Sequence, residues 1–320
     1  PPPLGDGGRV STNLEATQLL ASLVRDGVRT ILFTRARKTA ELILRYARFA
    51  LQDTAPELAA RITSYRAGYS PEQRREIERA LFDGELLGVT STNALELGID
   101  IGNLHACIIA GYPGSIASTW QQAGRCGRGH DESLVILVAL DNPLDQYLMR
   151  HPEYFFGSPP EHAIVDPGNP HILREHLLCA AYEHPLQPDP DERIFGVSFR
   201  ALAGELARDG KVRRAGRALR GAGSQHPARQ VNIRSVFSDP YRVVLEETGE
   251  ILGTVDAEHA LETLHPGAVY LHLGESYRVS TLDVASRKAL VSPASGDHYT
   301  QPRTSVDVFF ERAVAQRPLG

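Results

Sequence analysis

The string Gln121-x-x-Gly124-Arg125-x-Gly127-Arg128 carries the sharpest chemistry in the sequence. Two guanidiniums three residues apart, separated by glycines that let the backbone turn tightly, can reach one polyphosphate from a neighbouring surface. Arginine suits that task because its planar fork of donors stays charged and grips phosphate oxygens two at a time. A guanidinium that bridges a transferring phosphoryl group is worth about 10³ to 10⁵ in rate. The alternative for such a string is a solvated Gly/Arg loop. To act, the arginines need a rigid scaffold that aims them and a second surface that presents the phosphates.

The scaffold is legible upstream. Residues 28 to 34, VRTILFT, form an apolar, β-rich run bounded by Asp26-Gly27, the pattern of a buried parallel strand. Ala40, Ile43, Leu44, Ala47, Ala50 and Leu51 recur at three and four, which is one face of a helix. Ile62 to Tyr65 reads as a second strand, and Ser70-Pro71 opens a second helix with Ser as N-cap and Ile77, Ala80 and Leu81 as its inner face. Leu86 to Thr90, His105 to Ala110 and Ser133 to Leu140 read as strands three to five. Trp120 lies on the helix between the last two and is read as core, with stacking on a base or adenine as the alternative. Strands alternating with helices imply an α/β fold with a parallel sheet and right-handed crossovers. Ligands of such sheets sit at the carboxyl ends of the strands.

Around residue 141 this pattern breaks. A segment dense in Pro, Asn and Asp, with Tyr147, Tyr154, Phe155 and Phe156 interleaved, reads as an ordered connector. Helix ILREHLLCAAYEH, a turn at Pro185 to Pro190, helix FRALAGELARDG and the basic run KVRRAGRALRG follow, the outline of a winged helix. From about Val231 the period changes to two, in YRVVLEE, ILGTVD, AVYLHL, ESYRVSTLD, KALVSP and TSVDVFFE, with a helix at Ala257 to Leu264. Short strands with regular glycine turns suggest a small β-barrel or sandwich.

Composition narrows the class. With 320 residues, 42% of them hydrophobic, the chain has enough apolar material for two or three cores. No run approaches the roughly 18 apolar residues of a membrane span, so no membrane partner is expected. Cys107, Cys126 and Cys179 are odd in number and lack CxxC spacing, which argues against a disulfide framework and a zinc site. No metal is assigned, and a reducing cytosol is the expectation. The net charge of −5 hides a local excess, since residues 193 to 234 hold ten Lys and Arg against two Asp and Glu. Arg213, Arg214, Arg217 and Arg220 are therefore candidate contacts to nucleic-acid phosphates, against a solvated basic hairpin. The domain after residue 231 is acidic in its first half and reads as a brace or partner surface.

The order FTRARKTAE, YRAGYSPEQRREIE, TSTNALELGIDIG and QQAGRCGRG resembles motifs IV, IVa, V and VI of superfamily two helicases, in the second RecA-like domain. That resemblance implies roles for matching positions. Arg125 and Arg128 would face ATP, and Gln121 would help position the nucleotide. Gly98 and Asp100 would couple the nucleotide cleft to the nucleic-acid groove. Thr34, Arg35, Arg66, Gly68, Thr90 and Ser91 would contact phosphates of the tracking strand through side chains and exposed amides. Taken singly, Thr34 and Thr90 could equally just end strands, and Asp100 could cap a turn.

Text further along, GYPGSIASTW, NPLDQYLMRHPEYFF, PEHAIVDPGNP, LLCAAYEHPL and HPGAVYLHLGESYRV, is similar to the DEAD/DEAH-box DNA helicases of the mitomycin repair factor A type, bacterial relatives of a fungal RecQ-four-like helicase. The resemblance implies 3′-to-5′ translocation on single-stranded or forked DNA, action in DNA repair, and a bacterial, nucleoid-associated cytosolic location. The expected division is a linker or tail at 1–18, a second RecA-like domain at 19–142, a connector at 143–169, a winged-helix-like domain at 170–230 and a β-rich accessory domain at 231–320.

Two departures set limits. The sequence contains no GxxxxGK followed by Ser or Thr and no DExH or DExD, so the residues for Lys-assisted phosphate binding and Mg²⁺ coordination are not found. ATP and Mg²⁺ are therefore expected only in an intact protein whose first RecA-like domain lies upstream, with neither held by this chain alone. The family's four-cysteine terminal module is also missing. Other readings left open are a non-catalytic nucleic-acid-binding or scaffold module with a RecA-like fold, and half of an RNA helicase.

Overall fold

A computed structural model of the chain describes residues 9–97, 101–127, 132–229, 231, 240–296, 298–303, 305, 307, 309, 312 and 315. The first unit opens with α1 (Thr12–Arg25), β1 (Thr30–Thr34), α2 (Arg37–Gln52), α3 (Pro56–Ala59) and β2 (Ile62–Tyr65). It continues with α4 (Pro71–Phe82), β3 (Gly88–Ser91), β4 (Ala106–Ala110), α5 (Ile116–Ala123) and β5 (Leu134–Val138). The five strands form one parallel sheet in the order β2-β3-β1-β4-β5. Every residue of β1 is buried because the strand is covered on both sides. Leu32 joins the core beneath α1 and α2, while Ile31 and Phe33 join the core under α4. This is why the run reads as continuously apolar rather than alternating. Ser70 and Gln73 cap α4 reciprocally, each side chain accepting from the other's backbone amide, as the Ser-Pro start implies.

Residues 12–18, expected in a linker, begin α1 instead. Ala16, Leu20, Ala21 and Val24 bury a helical face against α2 and β4, and the Thr12 hydroxyl donates to the Ala139 carbonyl at 2.8 Å.

The chain then forms α6 (Pro143–Arg150), α7 (Pro152–Gly157), α8 (Pro170–Glu183), α9 (Pro188–Phe195), α10 (Phe199–Arg208) and a hairpin of β6 (Val212–Ala215) and β7 (Ala218–Gly221). The stretch expected as a turn at Pro185 to Pro190 in fact starts α9, with Pro188 at the first helical positions, where a missing amide costs nothing. Leu173, Leu177, Phe199, Leu202, Leu206 and Val212 form the core of this winged-helix unit.

The β-rich unit comprises β8 (Tyr241–Leu245), β9 (Ile251–Val255), α11 (Ala257–Thr263), β10 (Val269–His272), β11 (Glu275–Asp283) and β12 (Lys288–Pro293). Its sheet runs β10-β11-β12-β8-β9, antiparallel except for the parallel pair β12 and β8. It curls into a half-barrel over Val243, Leu252, Val279, Ala289 and Val291, leaving β9 and β10 as its two edges. The expected strand at 304–311 falls largely outside the described residues. Among the described residues no helix is long and apolar enough to cross a membrane.

Candidate nucleotide and nucleic-acid interface

At the carboxyl ends of β1 and β4 lies a small polar cavity of about 170 Å³, lined by Thr34, Arg35, Asn93, Glu96, Ser118 and Gln122 among others. The strand order changes direction here, between β1 and β4, which is where open parallel sheets bind ligands. Ser115 caps α5 by accepting the Ser118 amide at 3.0 Å, and this fixes the helix that carries Gln121 and Gln122 at its far end.

Glu96 organises the site, and nothing in its local spacing announces it. Its carboxylate Oε2 accepts Ser118 Oγ at 2.8 Å and Gln122 Nε2 at 2.9 Å. Its main-chain oxygen accepts Arg125 Nε at 2.9 Å and Nη2 at 2.6 Å. One residue of the segment 90–97 thereby holds both the helix and the arginine that follow it. Arg125 is only 4% exposed, so its guanidinium is aimed by the protein rather than left to solvent. Gln121 is exposed beside it. Gly98, Asp100 and Arg128 lie outside the described residues.

Of the positions expected to touch a strand, only Arg35 is exposed on the sheet domain. Thr34 donates its hydroxyl to the Ala36 carbonyl and Thr90 to that of Ala40, while the Ser91 hydroxyl has the Tyr65 and Thr92 carbonyls both within reach of its one proton, all three being buried. Their hydroxyls tie strand ends to neighbouring backbone carbonyls, so phosphate contact by these side chains is not what this arrangement provides. Arg66 is corrected more sharply. It is 2% exposed and pairs with Glu41 at 2.8 Å, while the Gly68 carbonyl accepts the Thr254 amide of β9 at 2.7 Å. The Arg66 side chain and the Gly68 carbonyl are thus occupied by the protein itself. Trp120, read as core, is 44% exposed and packs at 5.6 Å and 5.8 Å from Phe155 and Phe156 of α7, which brings the connector onto α5.

Sequence also gave no sign of Glu161. Its carboxylate accepts the Ile116 amide at 2.6 Å and the Ala117 amide at 3.1 Å, closing the N-terminus of α5. Those amides hold the carboxyl below its ordinary range.

On the winged-helix unit, Arg213 stands directly opposite Arg220 and Arg214 opposite Leu219. Arg213, Arg214, Arg217 and Arg220 are all exposed. None of the four has an ion-pair partner among the described residues. Two like charges facing each other across a hairpin destabilise it by about 0.2 to 1 kcal/mol. Such a pair makes physical sense when a polyanion neutralises it.

Residues 14–130 match the family described as the helicase conserved C-terminal domain, and residues 165–236 match the winged helix domain of ATP-dependent helicase HRQ1. The crystal structure of the DUF1998 helicase MrfA bound to DNA superposes with a TM-score of 0.79 at 40% identity, covering 96% of this chain and 44% of that one. This chain belongs to the MrfA and Hrq1 type of superfamily two helicases. A second MrfA structure, bound to DNA and AMPPNP, superposes with the same TM-score of 0.79 over 97% of the chain. Among curated relatives of this helicase type, YprA of Bacillus subtilis (strain 168) is 41% identical over 94% of this chain, and hrq1 of Schizosaccharomyces pombe is 34% identical over 98%. The chain spans 40% of the length of the first and 30% of the second. It corresponds to the part of these helicases from the second RecA-like domain through the winged helix and the half-barrel.

Proposed function

We propose that this chain is the C-terminal motor half of an ATP-dependent DNA helicase that acts in DNA repair and moves 3′-to-5′ on single-stranded DNA. The observation that carries the reading is the double role of Glu96, which binds the segment after β3 to both α5 and Arg125. A change at the nucleotide is then felt at the strand-facing end of the sheet, which is what a translocating motor requires. MrfA, the similar helicase, is found with DNA and with AMPPNP, and this supports the choice of DNA and an adenine nucleotide.

In this reading Arg125 and Arg128 complete a nucleotide cleft whose other wall is the first RecA-like domain. Bound ATP supplies the phosphoryl group whose transfer drives the cycle, and Mg²⁺ is assigned to that other wall. Among the described residues no three His, Cys, Asp or Glu side chains come together to hold a metal. Arg35 holds a phosphate of the tracking strand at the sheet, and Arg213, Arg214, Arg217 and Arg220 hold duplex or fork phosphates on the hairpin.

The test is a comparison of the 320-residue chain with a longer protein that contains it and a phosphate loop. The short chain binds single-stranded DNA with a salt-dependent affinity and does not turn over ATP. The longer one hydrolyses ATP, and DNA stimulates it more than RNA does. Robust Mg²⁺-dependent hydrolysis by the short chain would sink the assignment of parts.

A further inference from the structure

The loop Arg66-Ala67-Gly68 sits where the helicase motifs place a strand contact, yet its polar groups are taken up by the half-barrel. Arg66 Nη2 donates to the Leu271 carbonyl at 2.9 Å and to the Tyr270 hydroxyl at 3.1 Å, both on β10. Its Nε donates to Glu41 Oε1 at 2.8 Å, which also accepts the Tyr69 hydroxyl at 2.5 Å. The other carboxylate oxygen, Oε2, accepts the Gly274 amide at 2.8 Å. The side chains of Arg66 and Glu41 are 3% and 1% exposed. An ion pair so deeply buried persists only when its remaining donors and acceptors are satisfied. Here the half-barrel satisfies Arg66 Nη2 and Glu41 Oε2.

Two further features belong to the same boundary. Gly68 and Gly253 meet backbone to backbone. A Cβ on Gly68 would lie 2.4 Å from the Thr254 carbonyl oxygen, and one on Gly253 would lie 2.4 Å from the Gly68 carbonyl oxygen. The tip of the β10–β11 hairpin, Leu273-Gly274, presses onto α2, where Arg48 Nη1 donates to the Leu273 carbonyl at 2.8 Å. Leu273 holds φ at 52°, in the left-handed region that a leucine rarely adopts, and packs against the sheet-domain core beside α4. Strain of this kind survives where the surroundings over-determine it.

We infer that Glu41 and Arg66 are positioning residues that lock the half-barrel onto the RecA-like domain, so that the two move as one lobe, and that neither side chain touches the strand. The lock also steadies the first turn of α2, next to Arg35. Arg37 pairs with Asp256 at 2.5 Å, and the Lys38 ammonium lies 4.2 Å from the centre of the Tyr299 ring. The role given to this lobe rests on the motor reading, whereas the lock itself does not.

Two measurements on the 320-residue chain test the inference. The Thr254 and Gly274 amides report on the lock through hydrogen exchange, since each donates across the boundary. Gly253→Ala wedges the boundary without touching a charge, and exchange at both amides becomes about tenfold faster or more. Unchanged protection there overturns the lock. In the double variant Glu41→Gln/Arg66→Met no lone charge is left buried. Its salt slope for single-stranded DNA matches that of the parent, whereas Arg35→Ala lowers the slope by about 1. A fall of about 1 in the double variant makes Arg66 a phosphate contact and overturns its positioning role. If the parent chain binds no single-stranded DNA, it is the motor reading that fails, and hydrogen exchange alone decides the lock.

Discussion

The main-chain carbonyl of Glu96 accepts two hydrogen bonds from one guanidinium, that of Arg125. The carboxylate of the same residue serves Ser118 and Gln122, so the two halves of Glu96 can be tested separately. Arg125→Ala removes a charge and orphans the carbonyl. In a longer protein with a phosphate loop it lowers ATP turnover at saturating DNA by about 10³ or more. A loss of less than tenfold would take Arg125 out of the transition state. Glu96→Ala leaves the carbonyl in place but strips Ser118 and Gln122 of their acceptor, and thermal denaturation should show a cost of about 1 to 3 kcal/mol.

The opposed pair Arg213 and Arg220 gives a prediction in which stability and binding move in opposite directions. Arg220→Thr relieves like-charge repulsion and adds a residue suited to a strand, so the hairpin gains a few tenths of a kcal/mol, on the order of the cross-strand term. Affinity for DNA falls, and the salt slope drops by about 1. A variant that is both more stable and binds with an unchanged slope would show that the hairpin is merely solvated.

Acid should loosen the boundary between the sheet domain and the half-barrel. His272 is buried beside Arg66, and burial followed by that neighbouring charge depresses its pKa from 6.5 to about 4, with Glu41 opposing. Tyr69 packs edge-on to its ring at 5.0 Å, and Gln73 Nε2 lies 3.2 Å from its Nε2. The unfolded chain therefore takes up the proton first. The stability tied to neutral His272 is whole above pH 6.5 and is lost as pH falls towards 4. Between pH 7 and pH 5 the loss is about 2 kcal/mol. Denaturant midpoints across that range check it, and His272→Gln should flatten the profile.

Gly88 tests the packing of the sheet. A Cβ there would lie 2.7 Å from Ile62 Cγ2 and 3.0 Å from Val24 Cγ2, in a core that is already full. Gly88→Ala should cost about 1 to 3 kcal/mol in unfolding free energy. A neutral result would mean that α1 can ride outward from the sheet.

What the sequence made legible follows from how local each signal is. A strand covered on both faces is mainly apolar, so TILFT at 30–34 and ACIIA at 106–110 stand out without any partner being known. Ser70-Pro71 announces a helix start within four residues, and the glycine-spaced arginines announce phosphate chemistry within eight. The Glu41–Arg66 pair looks ordinary because its other partners, Tyr270 and Leu271, lie about two hundred residues away along the chain. An arginine in a helicase motif reads as a phosphate contact until the fold shows it buried. Trp120 misleads for a related reason, since its rings of contact come from the connector rather than from the sheet beneath it.

The half-barrel ends in two strand edges, and both meet the RecA-like domain, β9 through the Thr254 amide and β10 through the Leu271 carbonyl. A half-barrel produced by itself would present those edges bare, and unpaired edges recruit other chains. A RecA-like domain produced by itself would leave Arg66 and Glu41 open to water on the face that should be dry. Each piece is a folding partner for the other, so attempts to express them apart should yield aggregates or chaperone-bound material, while co-expression should rescue both.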